Sequence, residues 1–119
     1  MIIYKKGNIL ESKAEALVNT VNTQGVMGKG IALQFKNAFP SNYKIYQDIC
    51  KNGSFQIGDL LIVEENGLIS GKKTIINFPT KTSWRKPSEY SYIEKGLEKL
   101  VQVIEEKKLN SIAIPPLGS

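Results

Sequence analysis

Residues 15–22, EALVNTVN, form an apolar run that stops abruptly, and the chain soon changes to helical period in GIALQF at 30–35. Gly25 and Gly28 lie between them and Gly30 opens the second, with Lys29 in their midst. A short run this apolar reads as a strand buried centrally in a sheet. A buried strand feeding an amphipathic helix commits the chain to layers of sheet and helix. Glycines carry an entropic cost on folding, so their clustering asks what has to approach this backbone closely.

The rest of the chain continues the alternation. IIYK at 2–5 reads as another strand. Residues 29–39 place Ile31, Phe35, Ala38 and Phe39 on one helical face, and Pro40 is expected to stop that helix. Ser41 is the expected cap of a second helix that runs to about Asn52-Gly53. GDLLIVEENG at 58–67 predicts a strand ending in a turn, and KTIINF at 73–78 a strand cut off by Pro79. After the polar TKTSWRKP comes the clearest helix, capped by Ser88 or Ser91, with Ser91 and Glu94 spaced as a capping box. Ile93, Leu97, Leu100, Val101 and Ile104 form its predicted apolar stripe. SIAIP at 111–115 is a short buried strand. The fold class is α/β with a mixed or largely parallel sheet, in one domain of 119 residues. A buried strand followed by a Gly-Ser loop ordinarily feeds another element, so the chain reads as cut short.

Composition narrows the chemistry. The chain has no histidine, which excludes Ser-His-Asp and Cys-His nucleophile systems and, with a single cysteine, the common zinc sites. No metal is expected. Cys50 shares a helical face with Ile45, Tyr46 and Ile49 and reads as a small buried hydrophobe. One cysteine allows no internal disulfide, which suits a reducing, cytoplasmic setting. No apolar run approaches the ~20 residues of a membrane span. The net charge of +5 suits a phosphate-bearing partner.

The glycine segment is not a Walker A loop, because Gly30 follows Lys29 where a serine or threonine would hold Mg²⁺. It is not a dinucleotide fingerprint either, since Leu33 occupies the third glycine position. What remains is backbone N–H groups gathered before a helix N-terminus, a setting for phosphate; the alternative is a closely packed turn. Asn19, Asn22 and Thr23 stand at the carboxyl end of the apolar strand, where open α/β sheets bind ligands. They suit ribose hydroxyls, or they cap the turn.

Together GNIL at 7–10, AEALVNTVNTQGVMGKGIALQFK at 14–36, NFPTKTSWR at 77–85 and SIAIPPLGS at 111–119 resemble a macro domain. Within that family they are most similar to the DarG antitoxin group of DNA ADP-ribosyl glycohydrolases. The resemblance implies a three-layer α/β/α fold with a mixed central sheet, holding ADP-ribose in a cleft at the strand ends. It puts Asn8 and Ile9 on the adenine side, where many relatives have aspartate in place of Asn8. Asn22 falls at the distal ribose, and Gly28, Lys29, Gly30 and Ile31 against the diphosphate and distal ribose. Asn19, Thr23, Thr80, Leu117, Gly118 and Ser119 complete the implied ADP-ribose contacts. Relatives continue beyond the last strand with a second glycine-rich loop and a final helix.

Lys81 matches the catalytic lysine of the group, which works by attack or proton transfer at the ribose C1″. Its position fits, since Thr80 and Lys81 project from the carboxyl edge of the sheet. Trp84 offers a dry wall and Arg85 and Lys86 offer like charge, both of which favour a neutral amine. Trp84, Arg85 and Lys86 also form a mix of stacking surface and charge suited to single-stranded DNA. The implied reaction is removal of ADP-ribose from thymidine in single-stranded DNA, without a cofactor, reversing the work of a cognate ADP-ribosyltransferase toxin. The alternatives are a non-catalytic ADP-ribose-binding module and a hydrolase of ADP-ribose on protein side chains.

Overall fold

The computed structural model describes residues 8–28, 30–68, 71–83 and 85–117. The strand expected at 2–5 lies outside them. After a 3-10 turn at Ile9–Glu11 come β1 (Ala16–Asn22), α1 (Gly30–Ala38), α2 (Pro40–Lys51), β2 (Leu61–Gly67), β3 (Gly71–Lys81), α3 (Tyr90–Lys107) and β4 (Ile112–Ala113). The strands are ordered β2-β3-β1-β4; β1 runs parallel to β3 and β4, and β2 antiparallel to β3. The sheet is therefore mixed, and the apolar β1 is interior, as its composition predicts.

Alternation along the strands divides the core between two faces. Leu17 and Ile75 pack with Phe35, Ala38 and Phe39 of the α1–α2 layer. Their neighbours Ala16, Val18, Ile76 and Phe78 pack with Leu100 and Val103 of α3. Burial of each such side chain contributes roughly 1.5–3 kcal/mol, and together they fix a three-layer α/β/α arrangement. The parallel strands β1, β3 and β4 all end at one edge of the sheet, and α1 opens where β1 ends. In open α/β sheets the carboxyl edge of the strands is where ligands bind.

Three local expectations are corrected. Helix α1 ends at Ala38 ahead of Pro40, as expected, and Pro40 in turn opens α2, because a proline in the first turn forfeits no helical hydrogen bond. Ser41 is not its cap: the Glu65 carboxylate accepts from the Ser41 and Asn42 amides at 3.2 and 2.6 Å and satisfies the helix start from β2. Pro79 does not cut β3, which continues to Lys81. The last β2 pair joins Leu61 to Asn77, so Pro79 lies where β3 has a neighbour on one side only. The third helix begins at Tyr90 behind Glu89, with neither a Ser88 nor a Ser91 cap and no capping box.

The stripe of α3 is also rotated from the expected one. Gly96, Leu100 and Val103 are buried, whereas Leu97 and Val101 are exposed. Gly96 is the reason. A Cβ there would stand 2.3 Å from the Phe78 Cζ, so only glycine allows the helix to lie this close to the sheet. Close contact along Gly96 turns Leu97 and Val101 outward.

Candidate functional site

The site grows from the ends of β1 and β3. Their register slips between Val21 and Asn22, so Val21 pairs with Pro79 and Asn22 with Lys81. Thr80 is skipped and buried. A bulge of this kind re-aims the side chains that follow it. The chain leaving β1 is then tied back: the Thr23 amide donates to the Lys81 carbonyl at 3.0 Å, and its hydroxyl to the Thr82 carbonyl at 3.3 Å. Lys81, half-buried at the strand end, thus shares its backbone with the root of the glycine segment.

Asn22 organises that segment. Its Oδ1 accepts from the amides of Gln24, Gly25 and Val26 at 3.0, 3.1 and 3.3 Å, and its Nδ2 donates to the Val26 carbonyl at 2.9 Å. The turn-capping role weighed for Asn22 is therefore real. Gly25 takes a φ of +95°, and a Cβ there would meet the Cys50 Cβ at 3.2 Å. Met27 tucks into a cluster with Val21, Tyr46 and Phe55. Gly28 is exposed, and Gly30 enters α1 with a φ of +64° and open space around it. Lys29 lies outside the described residues. The backbone at Gly28 and Gly30 is open to a ligand, whereas Gly25 serves packing.

Asn8 and Ile9, the pair expected on the adenine side, stand at the 3-10 turn. Asn8 is exposed and caps the 3-10 turn by accepting from the Leu10 amide at 3.0 Å. Ile9 and Ile31 pack on one cluster with Leu10, Leu17 and Phe35. Leu117 packs against the α3-side core instead. Arg85 and Lys86 are exposed in a turn held by Ser83, whose hydroxyl accepts from the Arg85 amide at 3.3 Å and whose carbonyl accepts from the Lys86 amide at 3.1 Å. Trp84, Gly118 and Ser119 lie outside the described residues.

Asn19 is not at the cleft surface. It is fully buried, with Nδ2 3.4 Å from the Asn77 Oδ1, and Asn77 exchanges hydrogen bonds of 3.1 and 2.8 Å with Asn42. The Asn19 Oδ1 has no hydrogen-bond partner among the described residues. This buried amide trio was missed in the sequence. The available signal was an asparagine at matching rank in two apolar strands, since Asn19 and Asn77 are register partners. Burial pushes the Cys50 thiol up to about 11, so the only cysteine is poorly suited to act as a nucleophile. Burial, with Cys50 beside it, likewise holds the Tyr46 phenol well above its ordinary range.

The family described as Macro domain matches residues 18–119. This chain belongs to the macro domain family. The macrodomain of Mycobacterium tuberculosis DarG superposes with a TM-score of 0.92 at 52% identity, covering 99% of this chain and 77% of that one. Thermosipho africanus DarTG in complex with ADP-ribose superposes with a TM-score of 0.85 at 33% identity, over 94% of this macro domain and 32% of that chain. Among curated proteins, the DNA ADP-ribosyl glycohydrolase of Thermus aquaticus is 52% identical over 119 residues, all of this chain and 33% of its own length. The macro domain thus spans about a third of the curated relatives it matches first. No helix among the described residues is long and apolar enough to cross a membrane.

Proposed function

We propose that this macro domain hydrolyses the N-glycosidic bond between ADP-ribose and a thymine base in single-stranded DNA. In this reading it is the antitoxin activity opposing a DNA-modifying ADP-ribosyltransferase in the cytoplasm. The observation that carries the reading is the union of Lys81 with the root of the glycine segment, through the Asn22 pairing and the Thr23 amide. An amine and a set of open backbone donors meet at one sheet edge. The DNA substrate is taken from relatives described as DNA ADP-ribosyl glycohydrolases.

The residues divide the work. Backbone at Gly28, Lys29, Gly30 and Ile31 receives the diphosphate at the start of α1, where helix dipole and free amides favour negative charge. Asn8 and Ile9 hold the adenine side, and Asn22 and Thr23 shape the distal-ribose end. Asn19 acts from beneath, through the floor. The family resemblance assigns the remaining ADP-ribose contacts to Thr80, Leu117, Gly118 and Ser119. The Lys81 amine attacks C1″ as the base departs with the bonding electron pair and takes up a proton. Water then releases ADP-ribose and restores the amine. Trp84, Arg85 and Lys86 hold the neighbouring strand.

The test is incubation with a thymidine-ADP-ribosylated oligonucleotide beside an ADP-ribosylated protein, following free ADP-ribose. Release from the oligonucleotide supports the reading. Release from the protein alone moves the substrate to side chains, and tight ADP-ribose binding with no release leaves a binding module.

A further inference from the structure

Tyr46 of α2 is buried completely, and its hydroxyl reaches two oxygens of one residue: the Asn22 carbonyl at 2.7 Å and the Asn22 Oδ1 at 2.8 Å. Asn22 is the residue whose Oδ1 gathers the amides of Gln24, Gly25 and Val26 and whose register partner is Lys81. The tyrosine ring alone would fill the space, since it already packs edge-on against Phe55 with centroids 6.1 Å apart. The hydroxyl adds something packing does not need: a directed donor to the pivot of the loop. One turn further along α2, Cys50 touches Gly25 closely enough that a Cβ there would be crowded at 3.2 Å. Met27 returns the loop to the cluster that contains Tyr46. The segment 22–27 is thus held to α2 at three points, and only the Tyr46 contact acts on the amide-gathering atom itself.

We infer that Tyr46 is a positioning residue for ligand binding: its hydroxyl fixes Asn22, and through it the course of the loop that presents Gly28 and Gly30. This rests on the reading that the loop receives the ADP-ribose diphosphate. Lys81 belongs to β3 and keeps its place without the hydroxyl, so the contribution falls on binding and not on bond cleavage. Since burial holds the phenol in its protonated form, the donor persists across the working pH range.

Tyr46→Phe is the test, with Phe55→Leu as the control that disturbs the same cluster without touching Asn22. Calorimetry with free ADP-ribose should show affinity about tenfold weaker in Tyr46→Phe, the worth of one hydrogen bond, and near wild type in Phe55→Leu. On modified oligonucleotide, KM should rise by the same factor while kcat stays within about threefold. A purely structural role gives another pattern: a smaller active fraction, lower apparent kcat and unchanged Kd. Amide hydrogen exchange at Gln24, Gly25 and Val26 should be slow in wild type and faster in the variant. That readout needs no ligand, so it tests the clamp even if wild type proves not to bind ADP-ribose, an outcome that sinks the proposed function instead. Equal affinities for wild type and variant, or fast exchange at these amides in wild type, overturns the inference. The wild-type exchange decides it even where Tyr46→Phe does not fold.

Discussion

Asn22 and Lys81 end adjacent parallel strands as register partners, immediately past the slip that leaves Thr80 unpaired on β1. The slip sets a lysine, in place of a threonine, opposite the residue that folds the glycine loop. The root of the glycine loop and the Lys81 amine are thereby fixed on the same two strands, each buried on both faces by helices. Rigid placement of this kind is what a positioned nucleophile needs.

Removing the amine should separate binding from chemistry. Lys81→Ala should lower turnover of modified DNA by about a thousandfold or more, within the scale of a lost nucleophile or proton carrier. ADP-ribose affinity should stay within a few-fold, because the loop and the adenine side remain. Single-turnover rates beside calorimetry measure both, and turnover that survives in the variant removes the lysine mechanism.

Gly30→Glu should do the reverse. Gly30 has open space around it, so a side chain meets no neighbour, although its φ of +64° strains any residue but glycine by about 1 kcal/mol. An acidic group at a helix start offsets part of that strain through the dipole, by roughly 0.3–1 kcal/mol. Stability should therefore change little while a negative charge occupies the diphosphate's place. Loss of ADP-ribose binding with a near-native melting temperature is the expected result; unchanged affinity would put the ligand elsewhere.

Much of this was legible in the chain, and the failures have physical reasons. The apolar run of β1 and the helical period that follows it gave the layer order, because burial leaves its mark on composition. Pro79 misled, since a proline marks a forbidden hydrogen bond without saying whether a partner strand wanted that bond. Glu65 as the cap of α2 and the Tyr46 hydroxyl on Asn22 join residues distant in sequence, and nothing local announces either. The rotated face of α3 depended on the Phe78 ring opposite Gly96.

That last contact gives a stability prediction. Alanine is the better helix former by about 1 kcal/mol, so Gly96→Ala would stabilise an exposed helix. Here the added Cβ meets a fully buried ring that cannot move aside. Overpacking of this kind costs about 1–3 kcal/mol and should win, lowering the melting temperature by several degrees. Phe78→Leu should make the second substitution less harmful than it is alone, a coupling that a double-mutant cycle measures. A Gly96→Ala protein as stable as wild type would mean that α3 does not approach the sheet at this point.

The course of the DNA strand is the remaining question. In the proposed reading the cleft takes up the ADP-ribose, but a thymine on a strand brings its neighbouring phosphates with it. Arg85 and Lys86 are exposed on the turn that follows Lys81, held by Ser83, and Trp84 lies between Ser83 and Arg85 in the chain. Basic groups beside an aromatic ring are what sequence-tolerant single-strand binders use. Arg85→Ala with Lys86→Ala should weaken turnover of the modified oligonucleotide and flatten its salt dependence, each lost phosphate contact reducing the log–log slope by ~0.7. Affinity for free ADP-ribose, which carries no strand, should hardly move. The competing expectation is that both residues are solvated surface charges, in which case rate and slope match wild type across a salt series. That result would route the strand over another surface and leave the 82–86 turn with no part in holding DNA.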